Sequence, residues 1–171
     1  MIPNTTGPLS RPVAVNRLPP AGLEVEVVAT PEERQAIARD FNLPGIAALT
    51  GRYKVTGSLH RVQVRGRITA TLTQTCSVTL DPFEASVDEV VEVDFTEPDA
   101  LPEAVAAEME KAPTQDEIVN GRIDLGGLTA EFLALGLDPY PRKPGVDFAF
   151  GGEADPADSP FAALDKLKRG A

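Results

Sequence analysis

Five cations, Arg52, Lys54, Arg61, Arg65 and Arg67, fall within residues 41–80, a stretch that contains no Asp or Glu. The sign then reverses, and residues 81–124 carry fourteen acids against Lys111 and Arg122. Cations spaced two residues apart are suited to one chemistry, the neutralising of successive phosphates along a nucleic-acid backbone. Blocks of opposite charge speak to partners rather than to fold. They point to nucleic acid as a ligand of the basic block, against the repulsion of a chain whose formal net charge is −10.

Other chemistry finds little support. Cys76 is the single cysteine and His60 the single histidine, so no disulfide forms within the chain and no four-ligand metal site can be assembled from such residues. Thiol catalysis would need His60 as base, and no acid lies between the two in sequence to orient it. Cys76 reads instead as a buried structural residue. Asp88 and Glu89 would point to opposite faces of a strand, which makes them poor acid/base partners. Gly126-Gly127 lacks the preceding strand and the glycine spacing of a phosphate loop. No catalytic residue, metal or cofactor is expected.

The elements that position the basic residues follow from alternation. Tyr53, Val55, Gly57 and Leu59 occupy odd positions with Arg52, Lys54, Thr56 and Ser58 between them. After His60 the parity changes, with Val62, Val64, Ile68, Ala70 and Leu72 apolar and Arg61, Gln63, Arg65 and Arg67 polar. Such a change predicts a turn or bulge near 59–61 and two adjacent strands. Arg61, Arg65 and Arg67 then share a face, and Arg52 and Lys54 join them if the strands pair. Strand residues two apart are separated by roughly 6.5–7 Å, similar to successive phosphates. The same pattern also fits a solvated face whose cations pair with Asp88, Glu92 and Asp94 on a third strand, because opposite charges favour cross-strand neighbours. Tyr53, the one Phe, Tyr or Trp between Arg52 and Arg67, has core parity, so a base-stacking platform is absent and RNA would be held by backbone and shape.

Around this meander the sequence predicts a short extended run at 12–15, an alternating strand at 23–29 and a helix at 31–41. Thr30, Pro31 and Glu33 supply that helix with a capping box and a proline at its first position. Residues 97–121 are acidic and proline-broken, and read as a mobile excursion with packing resumed at Ile123. Asp124 caps a helix through Leu135 with Leu125, Leu128, Phe132 and Leu135 on one face. Residues 1–10 read as a flexible start, 11–141 as one domain, and 142–171 as a Gly/Pro/Asp-rich linker plus a short amphipathic helix bearing Phe161, Leu164 and Leu167. The start lacks a basic segment followed by an apolar run, and no run of eighteen apolar residues exists, so neither a signal peptide nor a membrane span is expected. The expected class is α+β, an antiparallel β-sheet or partly closed barrel of five to seven strands with two or three short helices packed on it.

The segment Thr75-Cys76-Ser77-Val78-Thr79-Leu80-Asp81-Pro82-Phe83 resembles the signature of the YceD family, the large ribosomal RNA subunit accumulation proteins of bacteria and plastids. Members carry Cys-x-x-Cys-Leu-x-Pro-Phe after a hairpin, then acidic strands, an Ile-Asp-Leu helix and a Pro-x-x-Pro-like segment. Here Cys76, Leu80, Pro82 and Phe83 match the first motif, and Asp124, Leu125 and Glu131 the second. Pro139 and Pro141 match the third, and Ser159–Lys168 is similar to the family's C-terminal segment. Thr79 stands where many members have the second cysteine, so no metal or redox role of a cysteine pair transfers to this chain. The resemblance implies a cytoplasmic, non-enzymatic factor supporting 23S rRNA accumulation and large-subunit assembly. Its partner would be 23S rRNA or a pre-ribosomal particle, bound through Arg52, Lys54, Arg61, Arg65 and Arg67. The alternative is an adaptor whose acidic segment, 84–117, binds a basic ribosomal or processing protein. In an intramolecular version of the first reading, the acidic 97–117 excursion folds over the basic face and masks it until rRNA competes.

Overall fold

The computed structural model describes residues 7–97 and 115–146, and a three-stranded meander forms its centre. Gly45–Ser58 (β3) and Arg61–Thr75 (β4) form a hairpin that turns at Leu59-His60. Thr75 to Pro82 is a second turn, after which Pro82–Thr96 (β5) runs back along β4. Parity sorts the faces as the alternation requires. Leu49, Tyr53 and Val55 of β3, Val62, Val64, Ile68, Ala70 and Leu72 of β4, and Val87, Val91, Val93 and Phe95 of β5 are all buried on one side. The intervening polar residues face solvent.

Leu23–Val28 (β2) extends the sheet beyond β3 with Val27 buried and Glu24 and Glu26 outward. Gln115–Glu117 (β6) extends it beyond β5, giving the order β2-β3-β4-β5-β6. The β5–β6 pairing is parallel, so the sheet is mixed rather than antiparallel, and it remains open rather than closing into a barrel. A separate two-stranded antiparallel sheet joins Pro12–Ala14 (β1) to Arg122–Asp124 (β7).

Two helices complete the described α+β architecture. Pro31–Asp40 (α1) starts at the capping box expected of it, with Thr30 accepting from the Glu33 amide and Glu33 accepting from the Thr30 amide. Leu125–Gly136 (α2) is capped by the Asp124 carboxylate, which accepts from the amides of Gly126 at 2.9 Å and Gly127 at 3.2 Å. Helix α2 lays Leu125, Leu128 and Leu133 against the inner sheet face. Leu135, expected on that face, is 71% exposed, and Leu133 takes its place with 0% exposure. The apolar stripe rotates around the helix because Thr129 is drawn inward by Tyr53, and Leu133 lies one turn beyond Thr129 on that side.

Packing resumes at Gln115, ahead of the expected Ile123: β6 joins the sheet, and Ile118, 6% exposed, enters the core. The rest of the expected acidic excursion, 98–114, and the expected C-terminal helix at 159–168 lie outside the described residues. Among the described residues no helix is long and apolar enough to cross a membrane.

Candidate nucleic-acid interface

The hairpin register brings all five predicted cations to one outward face. Lys54 stands directly opposite Arg65, and Arg52 directly opposite Arg67, across the β3–β4 ladder. Arg61 lies further along β4, opposite Ser58. Residues opposed in this way have Cβ atoms about 4.5–5.5 Å apart, and like charges so placed repel. Lys54, Arg65, Arg52 and Arg67 therefore form a square of positive charge whose sides are one strand spacing and two residues long. A depression of ≈580 Å³ borders three of its corners, Arg52, Lys54 and Arg65, and extends over β2 to Glu24, Val25 and Glu26.

A glycine makes the square possible. Gly66, between Arg65 and Arg67, faces inward, where a Cβ would run into the Arg52 carbonyl oxygen and lie 2.7 Å from the Tyr53 ring. Strands β3 and β4 thus approach closely at the level of the two cation pairs. Tyr53 lies on the core side as its parity requires, its hydroxyl 2.6 Å from that of Thr129 on α2. Burial pushes its pKa up to about 12 against the opposing effect of the Thr129 hydrogen bond, so it remains neutral.

Acids flank the square on both sides. Across the sheet, one row reads Glu24, Lys54, Arg65, Glu92, and the next Glu26, Arg52, Arg67, Val90. Three arginines are paired: Arg52 with Glu26 at 2.8 Å, Arg67 with Asp88 at 2.7 Å and Arg61 with Asp94 at 3.2 Å. Lys54 and Arg65 make no ion pair among the described residues, although Glu24 and Glu92 are their cross-strand neighbours. The solvated-face reading thus holds for Arg67 with Asp88 and Arg61 with Asp94, while Glu92 stays out of contact with Arg65. Sequence reasoning missed the β2 acids as partners. Glu24 and Glu26 were visible as outward residues of an alternating strand, but nothing local shows which strand lies beside it.

The residues of the first and third short motifs meet elsewhere, at the far end of the meander. The loop after β4 closes on itself through Leu80 N–H to Cys76 O at 2.9 Å and Cys76 N–H to Asp81 O at 2.8 Å, with Leu80 at φ 62° just before Pro82-Phe83. The segment after α2 docks on it: Ser77 N–H donates to Pro141 O at 2.8 Å, Gln74 to Asp138 O at 3.3 Å, and Lys143 N–H to the Cys76 sulfur at 3.5 Å. Pro139 and Pro141 therefore belong to the strap that holds the Cys76 loop. Cys76 is 0% exposed. The Lys143 amide, then the Thr79 hydroxyl and amide, lower its thiol pKa to about 6, while burial opposes them. His60, at the opposite tip of β4, is separated from Cys76 by a strand's length of roughly 50 Å, so no Cys–His catalytic pair exists.

Asp124 and Leu125 open α2, and Asp124 does more than cap it. Its carboxylate also accepts from the Arg11 amide and the Ser10 hydroxyl, both at 2.6 Å. Gly126 permits this crossing, because a Cβ there would lie 2.7 Å from Arg11 N. Glu131 lines a groove of ≈880 Å³ shared with Asp116, Glu117, Asp124 and Arg122. Desolvation raises the pKa of Asp116, and desolvation together with the Asp116 charge raises that of Glu131. No group of three or more His, Cys, Asp or Glu able to hold a metal ion occurs among the described residues.

In comparisons with known proteins, the family model described as large ribosomal RNA subunit accumulation protein YceD matches residues 64–168. No curated protein and no solved structure matches the chain.

Proposed function

Because the chain belongs to the YceD family of large ribosomal RNA subunit accumulation proteins, we propose that it is a non-enzymatic, cytoplasmic factor of ribosome biogenesis in a bacterium, contacting 23S rRNA through its basic sheet face. The family's description names an accumulation role rather than a reaction. The observation that carries the contact is the square of Lys54, Arg65, Arg52 and Arg67. Four cations held in mutual repulsion on a rigid ladder, two of them without an ion pair among the described residues, form an arrangement that an anion relieves. With Tyr53 turned inward, no ring on this hairpin face offers a stacking platform. The contact is therefore to phosphate and sugar, positioning the protein by the shape of the folded RNA rather than by base identity.

An adaptor reading, in which a basic ribosomal or processing protein is the partner, has one specific observation in its favour. Asp116 and Glu131 repel each other across a partly desolvated groove, which suits an incoming Lys or Arg. The two readings are separated by binding to fragments of 23S rRNA across a salt series, using wild type and an Arg61/Arg65/Arg67→Glu variant. Direct contact gives a log–log salt slope of about −1.5 to −3, for two to three phosphates, and is abolished by charge reversal. Absence of binding even at low salt transfers the role to the acidic groove.

A further inference from the structure

The flanking carboxylates suggest how the basic face is set. Of the four cations in the square, Lys54 and Arg65 point into the row without ion-pair partners among the described residues. Arg52 and Arg67 are drawn apart instead, Arg52 toward Glu26 on β2 and Arg67 toward Asp88 on β5. These two bonds run in opposite directions from the centre of the sheet. Both are solvent-exposed, with arginine side chains 78% and 57% accessible and their acids 52% and 56%. A carboxylate and a phosphate offer a guanidinium the same paired oxygens, and exposed pairs of this kind are weak enough to be exchanged.

We propose that Glu26 and Asp88 act as internal substitutes for phosphate, holding Arg52 and Arg67 in reserve so that the resting face engages an RNA backbone through Lys54 and Arg65 alone. This rests on the rRNA-binding reading above and specifies its working residues. A ligand with one accessible phosphate strand meets two cations in a single row. Only a backbone that also crosses the second row, two residues along the ladder, competes for the reserved pair. The carboxylates thereby lower affinity for any polyanion and leave a premium for one that fits both rows, which is specificity by penalising poor ligands.

The test uses the full chain and a 23S rRNA fragment that wild type binds. It compares wild type, Glu26→Gln/Asp88→Asn, and a control, Glu32→Gln/Asp40→Asn, that removes the same net charge from exposed positions on α1. Expected for Glu26→Gln/Asp88→Asn is a gain of about three- to tenfold in affinity, the two exchanged pairs being of ordinary exposed strength. The salt slope should steepen by about 1.4–1.8 as two further phosphates are neutralised, while the control keeps the wild-type slope. A fourth protein adds Lys54→Gln/Arg65→Gln to the Glu26→Gln/Asp88→Asn background, and it should retain binding through the released arginines. The same Lys54→Gln/Arg65→Gln change in wild type should abolish it. An unchanged slope in Glu26→Gln/Asp88→Asn, or a gain no larger than the control's, overturns the reserve while leaving rRNA binding intact. Absence of binding by every protein at low salt overturns the rRNA reading itself. Far-UV circular dichroism of each variant separates these outcomes from unfolding.

Discussion

Tyr53 Oη and Thr129 Oγ1 lie 2.6 Å apart, and that hydrogen bond ties the inner face of the basic hairpin to α2. Thr129 passes it on, its hydroxyl donating to Leu125 O at 2.7 Å. Because the single Thr129 hydroxyl proton is committed to Leu125 O, the buried Tyr53 hydroxyl is the donor to Thr129 Oγ1. Tyr53→Phe leaves Thr129 bonded to Leu125 and removes only the Tyr53 donor. Thermal or urea unfolding should show a loss of about 0.5–1.5 kcal/mol, with RNA affinity unchanged, since the ring still packs under Gly66.

Asp124 holds four donors at once, from Gly126, Gly127, Arg11 and Ser10. Asp124→Ala strips the cap from α2 and frees the N-terminal arm, so it should cost about 2–3 kcal/mol. Asp124→Asn, which keeps one acceptor oxygen, should lose less. Equal losses in the two variants, read by chemical denaturation, would show that the carboxylate's charge rather than its geometry matters.

Cys76 gives the fold a pH dependence through the neutral range. Its folded-state pKa of about 6 lies below that of an unperturbed thiol, so folding favours the thiolate. The stabilisation is complete above the unfolded thiol's pKa and is lost as pH falls toward about 6. Wild type should therefore gain melting temperature between roughly pH 6 and pH 8.5, and Cys76→Ala should be flat over that window. Thr79→Val removes a hydroxyl donor and should raise the thiol pKa. Thiolate absorbance in the ultraviolet follows this directly and needs no reagent to reach the buried sulfur.

Glu33 acts at the other end of the pH scale. Arg11, hydrogen-bonded to it at 2.8 and 2.9 Å, holds its carboxyl below the usual range, and the Thr30 amide helps. A depressed folded-state pKa means stability present at neutral pH and lost on acidification through that pKa. Glu33→Gln should be less stable than wild type at pH 7, and the two melting curves should converge as acid protonates the Glu33 carboxyl in the folded protein.

Much of this was legible from residues 52–95 because alternation is the direct signature of a sheet with one wet face. Parity alone placed Tyr53 inside and the five cations outside, and the side chain of Asp124 announced the start of α2. What could not be read was anything that depends on pairing between distant strands. Strands β1, β6 and β7 are three residues each, too short to carry a period, and the parallel placement of β6 is set by its partner rather than by its own sequence. Glu26 was visible as an outward residue, but its salt bridge with Arg52 requires β2 to lie beside β3. Leu135 was misplaced because period alone could not foresee the Tyr53–Thr129 bond that turns α2.

The parallel register of β5 and β6 has an engineering consequence. Asp94 pairs with Gln115 and Thr96 with Glu117, so the chain departs from and returns to the same corner of the sheet, one strand spacing apart. Closing a loop between two such fixed points is tolerant of length, since each doubling of an inserted flexible linker costs only about 0.6 kcal/mol in closure entropy. This corner is thus a natural socket: a peptide epitope or a small fluorescent domain spliced between Glu97 and Gln115 should leave the meander and its cations undisturbed, giving a way to label the protein without touching either terminus.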